Sequence, residues 1–329
     1  MHAPKTVLTI GTRASPMALA QTEAVRRALS NAHAGIEVAT IRGDTRGDRD
    51  TVSRLGQHGG KGGAFVDDLR SLMKAGQVDM IMHCLKDLPG NEDYYCSGSE
   101  FCIGAFLPRD DPRDVLVVAP GRSVPQVLER GTIGTNAVRR AAYLRHHHRG
   151  VTVVHYRGKV DSRITGLDAS KQQRLPYGGL CGPVDALVLA ASGLTRLGLD
   201  ARVAKTFSID EMCPAVGQGV VVVECLAAND RVVKYLGKIN DRTTETCCVA
   251  ERAMLRVLDG HCNSPIAGHA WIEGGRLFLR GVVIALDGRH IIEVQESTSL
   301  AGPEELGMRV GRSLNAKGAG QIIEDSRWQ

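Results

Sequence analysis

Short apolar runs alternate with helical apolar spacing along the first two-thirds of the chain. KTVLTIGT (5–12) reads as a strand, and Ser15 followed by Pro16 reads as an N-cap with proline at the first helical position. Leu19, Ala20, Ala24, Ala28 and Leu29 give the following helix one apolar face. IEVATIRGD (36–44) is a second strand, QHGGKGGAF (57–65) a glycine-rich loop, FVDDLRSLMKAG (65–76) a helix and VDMIMHC (78–84) a third strand. This alternation predicts an α/β lobe with a mainly parallel sheet.

A second lobe begins near DDPRDVLVVAP (110–120). TIGTNAVRRAAYLRHH (132–147) repeats the strand–turn–helix pattern, and TIGTRA (9–14) against TIGTNA (132–137) suggests one turn design used twice. VTVVHYRG (151–158) and VDALVLAASG (184–193) add strands. The remainder differs. In TTETCCVAERAMLRVL (243–258), Cys247, Ala250, Met254 and Val257 are spaced for one buried helix face. HAWIEGG, RLFLRGVVIALDG and RHIIEVQES read as strands joined by glycine-containing turns, and EELGMRVGRSLNAKG as a closing helix. This last part is an α+β module.

With 329 residues, 43% of them hydrophobic, the chain has material for two or three domains with real cores. Aromatics at 4% argue against a stacking surface for single-stranded nucleic acid, and a net charge of +5 permits an acidic ligand without demanding DNA. No apolar run is long enough for a membrane span and MHAPKTVLTIGTR carries no h-region, so a cytoplasmic chain is expected. Nine cysteines at irregular spacing then read as thiols rather than a disulfide framework.

In open α/β sheets ligands bind beyond the carboxyl ends of the strands. Several predicted strand ends here carry a cation: Arg13, Lys86, Arg139 and Arg140, Arg157 with Arg163 close behind, and Arg196. A solvated loop explains any one of them. The joint pattern is harder to dismiss, because Arg139 and Arg140 fall in a first helical turn, where the helix dipole disfavours cations unless an anion sits between them. Arginine forks suit carboxylate or phosphate. No GxxxxGK[ST] occurs, and GGKGG (59–63) is not a P-loop, so a multiply carboxylated ligand fits at least as well. Asp87 is the lone carboxylate in this ring. It can stabilise a cation formed on the ligand or pass a proton, or it can be a salt bridge to Lys86 or an Asx turn before Pro89. Cys262, in GHCNSP (260–265), is placed in a loop where a thiol near cations can ionise; a buried structural thiol is the other reading. His146, His147, His148 and the Cys247–Cys248 pair read as a helix end and core rather than as metal ligands, so no metal is expected.

Taken together, GTRASPMALAQ, TRGD (45–48), GGKG, HCLKDLP, DDPRD, GTNAVRR, RGKVDSR, AASGLTRLGL, PAVGQG (214–219), AERA and GHCNSP resemble, in order and almost from end to end, the porphobilinogen deaminase (hydroxymethylbilane synthase) family. The resemblance implies two solute-binding-protein-like α/β lobes plus a C-terminal α+β domain. It implies the divisions 1–105 with 218–239 (domain 1), 106–217 (domain 2) and 240–329 (domain 3). It implies a cytoplasmic, monomeric transferase that joins four porphobilinogen units head to tail, losing ammonia each time. A dipyrromethane cofactor, attached by a thioether to Cys262, primes the chain. By the same resemblance Asp87, with Lys86, is catalytic and stabilises cationic pyrrole species. Lys86, Asp87, Arg139, Arg140, Arg157 and Ser15 would hold the cofactor, and Arg13, Arg163 and Arg196 would bind substrate carboxylates.

The chain departs from the family pattern at Gln57, Cys84, Asn136, Ala137, Lys159 and Asp161, and in a loop one residue longer between Lys61 and Phe65. A diverged paralogue with a different pyrrole product, and a non-catalytic two-lobed binder of organic anions, remain the alternatives.

Overall fold

The computed structural model describes residues 6–43, 66–90, 92, 99–175, 179–260 and 264–326. In chain order the elements that frame the site begin with β1 (Thr6–Arg13), α1 (Pro16–Ala32), β2 (Ile36–Gly43), α2 (Asp67–Lys74), β3 (Met80–Cys84) and β4 (Phe101–Phe106). There follow β5 (Asp114–Val118), α3 (Val124–Arg130), β6 (Thr132–Gly134), α4 (Val138–His147), β7 (Thr152–Val154) and α5 (Val160–Asp168). A small ladder of β8 (Gln173–Arg174) and β9 (Leu180–Cys181) precedes β10 (Ala186–Ala190), α6 (Ala191–Arg196) and β11 (Lys205–Thr206). The chain continues with β12 (Val221–Leu226), α7 (Asp230–Leu236), α8 (Arg242–Leu258), β13 (Ile266–Glu273), β14 (Arg276–Ile284), β15 (Ile291–Ser299), α9 (Pro303–Ala316) and α10 (Ala319–Asp325).

The strands form two five-stranded sheets, ordered β2-β1-β3-β12-β4 and β11-β5-β10-β6-β7, and a three-stranded antiparallel sheet β13-β14-β15. In the first, β1, β2 and β3 are parallel and β12 runs against β3 and β4. In the second, β6, β7 and β10 are parallel and β5 opposes β10. The two sheets are joined twice, by residues 107–113 outward and 207–220 back. Apolar strand residues bury the cores: Leu8, Ile10, Met80 and Val223 in the first sheet, Leu116, Ile133 and Val188 in the second. The third sheet shares a core with the second through Ala267, Val282 and Ile284. Among the described residues, no helix is long and apolar enough to cross a membrane.

The helix α1 starts as its sequence predicts: Ser15 Oγ accepts from Ala18 N at 3.2 Å. Its buried face differs from the one its apolar residues suggest. Ala18, Gln21, Thr22, Val25 and Leu29 are buried, while Ala24 is exposed. The reason is hydrogen bonding: Gln21 Nε2 reaches Cys84 Sγ at 3.0 Å, and Thr22 Oγ1 reaches Thr12 Oγ1 at 2.7 Å. Satisfied polar groups can be buried at little cost. Likewise α8 is buried beyond one apolar stripe, including Glu251 and Arg252, whereas Val257 is only half-buried.

Glu251, with no exposed surface, ties three parts together. Its carboxylate pairs with Arg109 in the outward crossing (Nη1–Oε1 2.5 Å) and accepts from Gly217 N in the return crossing (2.7 Å) and from Ala270 N on β13 (2.8 Å). Next to it, Arg252 donates to Pro89 O at 2.7 Å, fixing the turn that follows β3. Glu251→Gln keeps the shape but leaves Arg109 facing a neutral amide. Removing one member of a buried pair typically costs about 3–5 kcal/mol, and a urea titration is expected to show a loss of that order.

Candidate functional site

Beyond Cys84 the chain makes one 3₁₀ turn, Leu85–Asp87, in which Leu85 is the buried anchor. Gly217 packs over that anchor at φ +72°, and a Cβ there would lie 2.7 Å from Leu85 Cγ. Only glycine fits this return crossing. The result pins Leu85 inward and turns Lys86 and Asp87 outward, with Lys86 exposed and Asp87 half-buried. Among the described residues neither has a salt-bridge partner, so the reading of Asp87 as a simple ion pair with Lys86 does not hold.

Arg13 ends β1 and Lys86 follows β3. Arg139 and Arg140 follow β6, Arg157 and Arg163 follow β7, and Arg196 closes the helix after β10. The carboxyl ends of the two sheets face each other: a Cβ on Gly193 of α6 would meet Met17 Cε of α1 at 3.2 Å. Burial and then the Arg140 charge lower the pKa of Lys86, opposed by Asp87; water at the exposed ammonium moderates both effects. Burial and Arg140 also pull the Arg163 guanidinium down to about 10. Arg163 Nε is buried without a hydrogen-bond partner among the described residues. Arg140 therefore repels both Lys86 and Arg163, a repulsion that a bound anion would relieve.

Arg139 and Arg140 are held differently from what their sequence position suggests. Both are buried in the first turn of α4, and the anion between them is the protein's own Asp114. Asp114 Oδ2 accepts from Arg139 Nη2 at 2.7 Å, and Oδ1 accepts from Arg140 Nε at 3.0 Å and from Gln218 Nε2 at 2.9 Å. Arg139 also donates to Cys213 O at 2.6 Å, and Arg140 to Val188 O at 3.2 Å. Burial alone would raise the Asp114 pKa, but the two guanidinium groups outweigh it and hold the carboxyl below its ordinary value. Arg196 is similarly braced, on Asp110 at 2.6 Å and Gly219 O at 3.0 Å. The backbone of Arg157 is clamped by Gln173, whose side chain both accepts from Arg157 N and donates to Arg157 O at 2.7 Å. Ser15 Oγ is engaged in capping α1. Cys262, Gln57 and the loop 59–65 lie outside the described residues.

Sequence reasoning missed Asp114, Gln218 and Glu251. The signals were present in DDPRD, PAVGQG and AERA, but nothing in linear spacing pairs an acid at 114 with arginines at 139 and 140.

Residues 8–234 match the family described as "Porphobilinogen deaminase, dipyromethane cofactor binding domain", and residues 245–316 match "Porphobilinogen deaminase, C-terminal domain". The chain belongs to the porphobilinogen deaminase family. Among its relatives is the porphobilinogen deaminase of Roseiflexus sp. (strain RS-1), 37% identical over 319 residues, 97% of this chain and 99% of that one. Another is that of Xanthomonas euvesicatoria pv. vesicatoria (strain 85-10), 38% identical over 321 residues with coverage of 97% and 99%. A distant similarity links it to a periplasmic binding protein with high arginine specificity from Salmonella typhimurium, at 12% identity and TM-score 0.36, covering 76% of this chain and 97% of that one.

The described residues fit the family's dipyrromethane. The crevice leaves a demand for carboxylate oxygens at Lys86, which such a group supplies, and at the partnerless Arg163 Nε, which a pyrrole unit joined to it supplies.

Asp114→Asn keeps the shape and leaves two buried guanidinium groups uncompensated, at an expected cost of about 3–5 kcal/mol at neutral pH. Because the native carboxyl is depressed, its contribution is complete above the ordinary aspartate value of about 3.9 and is lost as pH falls through the lower native value. Chemical denaturation across pH is therefore expected to show the wild type and Asp114→Asn converging below about pH 4.

Proposed function

We propose that this chain is a deaminating transferase of tetrapyrrole (haem) biosynthesis. It joins four porphobilinogen units head to tail into hydroxymethylbilane, using a dipyrromethane attached through Cys262. The observation that carries the reading is the crevice between the two sheet ends. Its cations are braced by buried partners or crowd one another, and Asp87 stands among them without an ion-pair partner in the described residues.

In this reading the bound dipyrromethane supplies the free pyrrole carbon onto which the first unit is joined. Lys86, Arg139, Arg140, Arg157 and Ser15 hold its side chains with Asp87 beneath. Arg13, Arg163 and Arg196 take the acetate and propionate of the incoming unit. Guanidinium forks bind carboxylates through paired hydrogen bonds, so they orient as well as attract. Asp87 faces the substrate ring, where positive charge develops as ammonia leaves. At about 4 Å and an effective dielectric of about 20, a carboxylate is worth roughly 4 kcal/mol to such a charge. The same oxygen can carry the proton that the new carbon–carbon bond displaces.

The reading assigns the first sheet with Asp87 to residues 1–105 and 218–239, the arginine-rich second sheet to 106–217, and the cofactor cysteine to a third domain, 240–329. It takes the chain to work as a cytoplasmic monomer, which gel filtration would check for the oligomeric state.

Asp87→Ala is expected to fold normally, since the side chain is half-exposed, and to lower the rate of ammonia release by about 10²–10⁴-fold. Near-normal release would remove Asp87 from the chemistry. Intact mass of the purified protein is expected to exceed the chain mass by one dipyrromethane, and Cys262→Ser to lack that addition. An unmodified wild-type chain that stays unmodified with porphobilinogen would favour a binder of organic anions.

A further inference from the structure

Among the described residues, the strand β4 lies at the edge of the first sheet and pairs only with β12. Cys102 and Cys225 are direct partners in that ladder, and their Sγ atoms are 3.6 Å apart. Opposed residues of an antiparallel ladder have Cα atoms about 4.5–5.5 Å apart. A disulfide spans about 4.4–6.8 Å between Cα atoms. The backbone is therefore already in place, and side-chain rotation with slight closure brings the sulfurs to bonding distance.

The two thiols are unequal. Cys102 is half-buried on the outer strand, and Cys225 has no exposed surface. The sulfur–sulfur contact lowers the pKa of Cys102, while that contact and burial raise that of Cys225. A reachable thiol thus sits against a buried one that can resolve it. The pair is also remote from the candidate site. Where β12 lies along β3, Val221 is opposite Cys84 at the site end, whereas Cys225 is opposite Met80 at the other end.

We propose that Cys102 and Cys225 are an oxidisable dithiol, a modification site outside the anion crevice that peroxides convert to an intramolecular disulfide. The Cys102 thiolate attacks a peroxide oxygen, the O–O bond breaks, and a sulfenic acid forms with release of one water after protonation. Cys225 sulfur then attacks the Cys102 sulfur, the S–O bond breaks, and a second water leaves with the Cys225 proton. The two thiols lose two electrons and two protons, and hydrogen peroxide is reduced to two waters. The new bond staples the edge strand to the strand beside it and encloses the whole second sheet in the loop.

The test treats the holoenzyme with hydrogen peroxide, alkylates remaining thiols under denaturing conditions, and maps peptides by mass. The expected result is a loss of two hydrogens, a Cys102–Cys225 cross-linked peptide and reversal by dithiothreitol. The oxidised form should also have a higher thermal midpoint than the reduced form, with unchanged ammonia release. Cys102→Ser, or Cys225→Ala should the first variant fold poorly, loses the cross-link and the midpoint shift, while Cys181→Ser keeps both. Alkylation of both thiols after peroxide treatment would overturn the proposal. So would Cys102 found as sulfinic acid with Cys225 still alkylated, or a cross-link from either residue to a different cysteine.

Discussion

The buried carboxylate of Glu251 is the constraint from which the rest of the arrangement follows. It lies where the outward crossing, the return crossing and the third sheet come together, and it satisfies a guanidinium and two backbone amides at once. Each of those donors would otherwise be buried unpaired, an expensive condition in a low-dielectric interior. Its neighbour Arg252 carries the same helix to the carbonyl of Pro89, just past Asp87. The C-terminal module is thereby tied to both crossings and to the turn that follows β3. A helix that carries no residue of the crevice still determines where the crevice's carboxylate stands.

Charge compensation within the crevice is graded. Arg139 and Arg140 are braced from behind by one shared carboxylate, Asp114, which also satisfies Gln218 and leaves the trio with a net charge of +1. This makes two guanidinium groups tolerable at a helix N-terminus, where the dipole opposes them. Arg163 and Lys86 lack such backing; burial and the Arg140 charge lower the pKa of both, and burial also lowers that of Arg140 despite Asp114. The crevice thus combines braced cations, which define shape, with strained ones, which gain most from a bound carboxylate. Asp87 is the carboxylate that the turn after β3 presents among these cations.

Much of this was legible in the chain. Strand runs such as VDMIMHC and VDALVLAASG are apolar because they are covered on both faces, and glycine, proline and charge mark where each ends. The cations at those ends could be named from position alone. The pairing of Asp114 with residues 25 and 26 positions later could not, because it depends on β5 running against β10 while β6 runs with it. The buried face of α1 was misread for a related reason. Gln21 and Thr22 look solvent-facing until their partners, Cys84 and Thr12, are brought alongside by the sheet. Hydrophobic periodicity records burial of apolar surface. It is silent on polar groups that become buriable only through long-range hydrogen bonds.

The position of β12 bears on how the molecule is made. This strand lies between β3 and β4, yet it is synthesised only after every strand of the second sheet. A nascent chain that has just emerged through residue 106 holds β4 with no ladder partner and an exposed apolar edge on β3. The second sheet, whose strands are contiguous in sequence, is complete before the first can close. Closure of the first sheet therefore waits until the chain is made through residue 226, and until then the edge of β3 that β12 covers is open.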